Sequence, residues 1–375
     1  MSKPVRRIIF TGDFLRPSAG GMRPTQHENI AWLSKLLDVP LALATGLPRE
    51  TVHWENDWMS GAALDLEAVQ AIYGSFWLPP KISSWPTIFA AKTLPEGFEL
   101  QLVSLFAESF VVGFELPPYL TAFFDRQGIG FVDCSLSPLR FMDDLMFDVS
   151  SNSVSITESL AANAVPEALI RLQAGVVSAT VAKGMPHKPA PNSLLVMLQT
   201  SYDKVVIHEG RFNTMLDHFE ALEAVAADYS NVLIKAHPSE TRQDVMDALL
   251  KRLPHAKLTT ENFYRLVSHH NVKGVAALSS SAVREAQFFG KRGHYLIPGM
   301  SHDRFTPGIS GHPVGEDILQ PDFWRSILAS APLEVTAKDG LRLPSKPNRF
   351  RLQLREAWGY NQIDSDISAK WASGE

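Results

Sequence analysis

The stretch LLVMLQTSYDKVV, Leu194 to Val206, decides how the rest of the chain is read. Its apolar first part, Leu194 to Leu198, has the pattern of a buried strand, and it breaks into polar residues at Gln199, Thr200, Ser201 and Asp203. In an open α/β sheet ligands lie outside the carboxyl ends of the strands, so a carboxylate just past such an end is well placed for chemistry. Asp203 is therefore the first candidate catalytic group. The design recurs twice downstream. NVLIKAHPSE (231–240) ends a strand on His237 and Pro238, and VAALSSSAVREAQFFGKR (275–292) ends one on Ser279, Ser280 and Ser281, which open a helix. Strand ends carrying Asp203, His237 and the three serines are expected to converge on one crevice.

Working upstream, RRIIFTGDFLRPSAGG places a short strand, Ile8 to Phe10, before a loop with Gly12, Asp13, Arg16, Pro17, Gly20 and Gly21. Glycine lets backbone approach a ligand closely, but the spacing is not GxGxxG, so the loop reads either as facing a sugar or acceptor or as a plain connection. NIAWLSKLL is amphipathic at helical spacing, and PLALATGLP after it reads as a second strand. Residues 51–100 contain Trp54, Trp58, Trp77 and Trp85, which either stack on sugar faces or fill core under long loops. SFVVGFELPPYL (109–120) is a strand stopped by Pro117 and Pro118, and Glu115 at its end is a second carboxylate candidate. GIGFVDCSLSPLRFMDDLMF (128–147) reads as a further strand and a turn, followed by Arg140, Asp143 and Asp144.

KGMPHKPAPNS (183–193), with three prolines, a glycine and a serine, is the best linker in the chain and a candidate hinge. Strands alternate with helices on both sides of it, which indicates α/β domains with parallel, doubly wound sheets. At 375 residues the chain exceeds the roughly 250–300 that one core serves. The expected fold class is thus α/β and GT-B-like, two Rossmann-type domains with a cleft between them. The expected division is 1–185 and 186–345 for the two domains and 346–375 for a helical segment able to cross back.

Composition narrows the function. A net charge of −5 gives no basic face for nucleic acid. The single cysteine, Cys134, excludes an internal disulfide, and no signal segment or membrane-spanning run is apparent, so a cytoplasmic setting is expected. KPNRFRLQLREAW, with Lys346, Arg349, Arg351 and Arg355 among apolar residues, is either a solvated helix face or a peripheral attachment to the inner membrane. Asp143-Asp144 and His269-His270 lack metal-ligand spacing, and there is no GxSxG elbow for a nucleophilic serine. Neither a metal nor another cofactor is expected.

SSSAVREAQFFGKR resembles the segment of GT-B glycosyltransferases that closes on the donor phosphate, where helix N–H groups and serine hydroxyls act as donors. Ser280 or Ser281 also reads as a simple helix cap. QTSYD (199–203), the KAHP run, the serine-rich helix start, GFELPP and SPLRFMDD together resemble the retaining β-Kdo transferases of bacterial capsule and O-antigen assembly. GFELPP stands where the capsule enzymes carry a longer DGF-type motif, which leaves the acceptor and the role of Glu115 open.

The resemblance implies transfer of β-Kdo from a CMP-Kdo donor, with retention, to an oligosaccharide or glycolipid acceptor, within or beside a polysaccharide assembly complex. The resemblance, not the alternation of strands and helices, also implies an acceptor-side role for the first domain and a donor role for the second. It further implies Asp203, at the end of a QxxxD motif, as nucleophile and Glu115 as base for the acceptor. His237 with Pro238, Gln199 and Ser279 to Ser281 would form the donor site, and Arg140 would pair with the donor carboxylate. Transfer of another CMP-nonulosonate, a sialic-acid-like sugar, a non-catalytic carbohydrate-binding role and, more distantly, a GT-B-fold epimerase acting on a UDP-sugar are the alternatives.

Overall fold

A computed structural model of the chain describes residues 4–17, 26–53, 66–181, 188–237, 243–298 and 311–354. These fall into two compact units. The first holds β1 (Arg7–Gly12), α1 (Gln26–Thr45), β2 (Arg49–Thr51), α2 (Leu66–Ser75), α3 (Trp85–Phe89), α4 (Glu96–Leu105), β3 (Ser109–Phe114), α5 (Pro118–Gln127), β4 (Phe131–Leu136), β5 (Phe147–Ser151) and α6 (Val154–Ala162). The second holds α7 (Glu167–Val181), β6 (Ser193–Met197), the hairpin strands β7 (Ile207–His208) and β8 (Arg211–Phe212), α8 (Phe219–Ala226), β9 (Asn231–Lys235), α9 (Gln243–Arg252), β10 (Ala256–Leu258), α10 (Phe263–Ser268), β11 (Val272–Ala277), α11 (Ser281–Phe288) and β12 (Arg292–Tyr295). The chain then returns to the first unit with β13 (His312–Val314), α12 (Pro321–Leu328) and the start of α13 (Arg349–Leu354).

In the first sheet the order is β13-β5-β4-β3-β1-β2. β1 to β4 pair in parallel, and β5 and β13 each pair antiparallel with their inner neighbour. Order reverses between β1 and β3. Gly12 closes β1 there because a side chain would strike the backbone carbonyl of Phe114, 2.7 Å from an added Cβ. Core residues beneath include Ile9, Phe106, Val111, Phe123 and Phe124. The second sheet is parallel throughout in the order β10-β9-β6-β11-β12. Its first strand in sequence, β6, lies at the centre, and order reverses between β6 and β11. Leu194, Val196, Leu222, Ile234 and Leu249 fill its core.

Several expectations are corrected. PLALAT (40–45) is the last part of α1 rather than a strand, because Leu33, Leu37, Leu41 and Ala44 continue the buried helical stripe. Pro40 is accommodated inside that helix. The first sheet is not wholly parallel. The units do not divide at 185/186 and 345/346: α7 packs against α10 and α11 and so belongs with the second unit, and residues 138–145 join it too. The return to the first unit is made by β13, which extends the first sheet, and by α12, which packs on α1 and α6. Arg325 fastens α12 to the end of α1, donating to the Leu43 carbonyl (2.9 Å) while pairing with Asp322 (2.8 Å) and Asp339 (3.1 Å). Part of the proposed hinge, 182–187, and residues 355–375 lie outside the described residues.

Candidate functional site

The carboxyl end of the second sheet is built on β6, β9 and β11, which are adjacent because β6 pairs with both of the others. The run Leu194–Val196 is fully buried, and polarity begins where the strand leaves the core. Gln199 and Ser279 form a reciprocal pair across the point where strand order reverses. The Ser279 amide donates to Gln199 Oε1 at 2.9 Å, and Gln199 Nε2 donates to Ser279 Oγ at 3.2 Å. The Ser279 hydroxyl donates in turn to the Val205 carbonyl. These two residues thereby tie the loop after β6 to the loop after β11.

Ser280 is the N-cap of α11, its Oγ accepting from the Ala282 amide at 3.2 Å, and Ser281 is the first helical residue. A helix start presents amide N–H groups and the positive end of the helix dipole, an arrangement suited to an anion. His237 lies two residues past β9 and is half-buried. Asp203 is half-buried and caps the short 3-10 turn Lys204–Val206, its Oδ1 accepting from the Val205 amide at 3.3 Å. The antiparallel pair β7–β8 follows, turning through Glu209 and Gly210, both with positive φ (51° and 72°). That is the left-handed pair which tight two-residue hairpins require.

Arg140 lies in the 138–145 segment, whose backbone is fastened to α11: the Arg140 amide donates to Glu285 Oε1 at 2.6 Å. Of the sequence candidates, Gln199, Asp203, His237, Ser279, Ser280, Ser281 and Arg140 all belong to the second unit. Pro238 lies outside the described residues. Glu115 belongs to the first unit, directly after β3, with its backbone in the left-handed region (φ 51°), where a non-glycine residue is strained. Asp143 accepts from Gln173 (2.7 Å), and the His269 and His270 rings stack (4.5 Å). Among the described residues no group of three or more His, Cys, Asp or Glu side chains is placed to hold a metal, and no helix is long and apolar enough to cross a membrane.

The first unit carries a polar cluster that residue patterns alone did not single out. Asp13, just past β1, is 2% exposed and accepts from Tyr119 Oη (2.7 Å) and Trp85 Nε1 (2.8 Å). Burial raises its pKa, and the two hydrogen bonds oppose the rise. Arg16 lies over the Trp85 ring at 4.4 Å. Trp85 thus fills core instead of facing solvent, whereas Trp77 is 94% exposed; Trp54 and Trp58 lie outside the described residues. Also in the first unit, the buried His27 and His53 rings lie 6.0 Å apart, and burial, with a contribution from His53, lowers the His27 pKa to about 3. The available signal was Asp13 itself, a lone carboxylate after the first apolar strand.

No family model and no curated protein matches this chain. Among solved structures it is similar to Thermosulfurimonas dismutans KpsC, a beta Kdo 2,7 transferase, at 13% identity over 62% of this chain and 80% of that one, with a TM-score of 0.33. A second Thermosulfurimonas dismutans KpsC structure, a beta Kdo 2,4 transferase, is 18% identical over 49% and 67% of the two chains, with a TM-score of 0.31. UDP-GlcNAc 2-epimerase from Neisseria meningitidis is 9% identical over 76% and 80%, with a TM-score of 0.25. Likeness at this level carries no argument about donor, acceptor or mechanism.

Proposed function

We propose that the second unit binds the nucleotide of a CMP-linked sugar acid and that the protein is a retaining glycosyltransferase using CMP-Kdo. The observation that carries this reading is the placement of Gln199, Ser279 and Ser280 at the ends of β6 and β11, the strands between which sheet order reverses. In open α/β sheets that is where ligands bind, and the start of α11 supplies donors for a phosphate. The CMP-Kdo identity rests on the QTSYD, KAHP and serine-rich motifs of the sequence.

In this reading the phosphate of the donor meets the amides of Ser281 and its neighbours, with His237 donating to a second phosphate oxygen. The Asp203 carboxylate attacks the anomeric carbon as the bond to the phosphate oxygen breaks, and CMP leaves with the electron pair. An acceptor hydroxyl then displaces Asp203 from the same carbon and gives its proton to a base, for which Glu115 is our candidate. Two displacements retain configuration. The hydrogen bond from the Val205 amide favours a second role for Asp203, a turn cap, and the two roles separate experimentally. The Asp203→Asn variant should keep its fold and CMP affinity and lose transfer; loss of capping alone would cost only about 1 kcal/mol of stability.

The direct test is a thermal-shift series with CMP, CMP-Kdo and UDP-sugars. A site ligand at 100 times its Kd stabilises by about 2.7 kcal/mol, so CMP and CMP-Kdo should raise the melting temperature and UDP-sugars should not. Stabilisation by UDP-sugars alone would replace the donor assignment. No shift with any nucleotide would favour a non-catalytic carbohydrate-binding protein.

A further inference from the structure

β4 and β5 are neighbours in the first sheet, paired from Val132–Ser151 to Leu136–Phe147, and the Ser137 amide closes the ladder on the Met146 carbonyl. The connection between them does not turn back at once. Residues 138–145 leave the sheet and are packed within the second unit. Phe141, 5% exposed, sits among Tyr264, Phe288 and Phe289, with ring centroids 6.4, 6.0 and 5.2 Å away. Gln173 on α7 donates to Asp143.

Phe141 packs this segment against the second unit, and a carboxylate is buried beside it. Glu285 on α11 is 3% exposed and accepts at Oε1 from the Arg140 amide (2.6 Å) and from Tyr264 Oη (2.9 Å); the Phe141 amide bonds to it as well. A buried carboxylate is costly unless donors satisfy it, so this one makes sense where the donors it accepts from are held in a geometry that packing leaves loose. What it fixes is the segment at Arg140, whose amide it accepts from and whose positive charge lies close enough to pull its pKa down. Glu285 stands four residues after Ser281, one turn along the same face of α11 and about 6 Å from the helix start.

We infer that Glu285 is a positioning residue: by gripping the Arg140 and Phe141 amides it sets Arg140 beside the start of α11, where the guanidinium reads the carboxylate of a nucleotide-linked sugar acid. This rests on the second unit being the donor site. Tyr264, the other donor to Glu285, holds the carboxylate in place. Discrimination follows from the chemistry, since a nucleoside monophosphate without the sugar acid presents no carboxylate to Arg140.

The test is a KM-against-Ki comparison on the full chain, with CMP-Kdo as donor, CMP as competitive inhibitor and release of CMP as readout. Glu285→Leu should raise the KM for CMP-Kdo about tenfold, in line with loss of one charge-assisted contact, while the Ki for CMP stays within twofold. In an Arg140→Ala background Glu285→Leu should raise the KM no further. Tyr264→Phe, which keeps the ring, should show the same pattern at smaller amplitude and covers the case in which Glu285→Leu does not fold. An equal rise in the Ki for CMP, or an undiminished effect of Tyr264→Phe without Arg140, would overturn the inference and leave the donor site standing. If the wild type is not inhibited by CMP at all, the donor-site reading fails and the inference fails with it.

Discussion

The carboxyl ends of the two sheets occupy equivalent topological positions and are finished in opposite ways. In the first unit the carboxylate after the first strand, Asp13, is buried, and both of its oxygens are engaged by Trp85 and Tyr119. In the second unit the residues after the first strand, Gln199 and Asp203, are half-buried, as is Ser280 at the start of α11. A polar residue at a strand end is therefore not by itself a site. The position favours ligand binding, and accessibility separates the two ends: Gln199, Asp203 and Ser280 bond within the loops at their sheet end yet stay partly exposed, whereas Asp13 is closed off.

Substitution should separate the two ends sharply. Asp203→Asn should lower transfer by about 10³-fold or more with CMP affinity and stability near wild type, measured by CMP release and calorimetry. Intact mass after incubation of the wild type with CMP-Kdo should reveal an adduct on the peptide containing Asp203. Asp13→Asn should do the reverse. It turns an amide N–H toward Trp85 or Tyr119, costing about 1–3 kcal/mol in denaturant unfolding, with CMP affinity unchanged in the folded fraction. A stable Asp13→Asn protein that no longer binds CMP would exchange the roles of the two ends.

The pH dependence should also differ in sign between the units. Burial raises the Glu285 pKa to about 7, against the pull of Tyr264 and the Arg140 amide, from an ordinary value of 4.5. Between those values the folded chain holds a proton that the unfolded chain has lost, so stability falls as pH rises, by roughly 2–3 kcal/mol from pH 4.5 to 7. Glu285→Gln should remove that part of the slope. His27 runs the other way. With its pKa lowered to about 3, it stays neutral in the fold while the unfolded imidazole binds a proton, so stability falls as pH drops below about 6.5, by about 2 kcal/mol at pH 5. His27→Gln should flatten the acid limb; an unchanged limb would remove His27 as its cause. The smallest effect expected is that of Ser280→Ala, about 1 kcal/mol of stability from the lost α11 cap.

What the sequence made legible follows from range. β3, β6, β9 and β11 were readable because each is a short apolar run, and Asp203, His237 and the serines were readable as the polarity that follows. The last part of α1, residues 40–45, reads as a strand because it is a short apolar run, whereas the buried helical stripe continues through Pro40. β5 and β13 gave no signal of antiparallel pairing, since they are short and their partners are set by the excursion at 138–145 and by the late return of the chain. The partners of Asp13, and Glu285 altogether, were invisible for the same reason. Asp13 is bonded to residues 72 and 106 positions away, and Glu285 to the amide of a residue 145 positions away, distances at which no local pattern reports a contact.

The contrast between the two strand ends can be measured in one experiment, backbone hydrogen exchange of the full chain with and without saturating CMP. Slower exchange is expected at residues 199–206, around His237 and at 279–284, with no change at 12–16 or 115–120. Protection at 12–16 and 115–120 instead, or protection at neither end, would contradict the assignment of nucleotide binding to the carboxyl end of the second sheet.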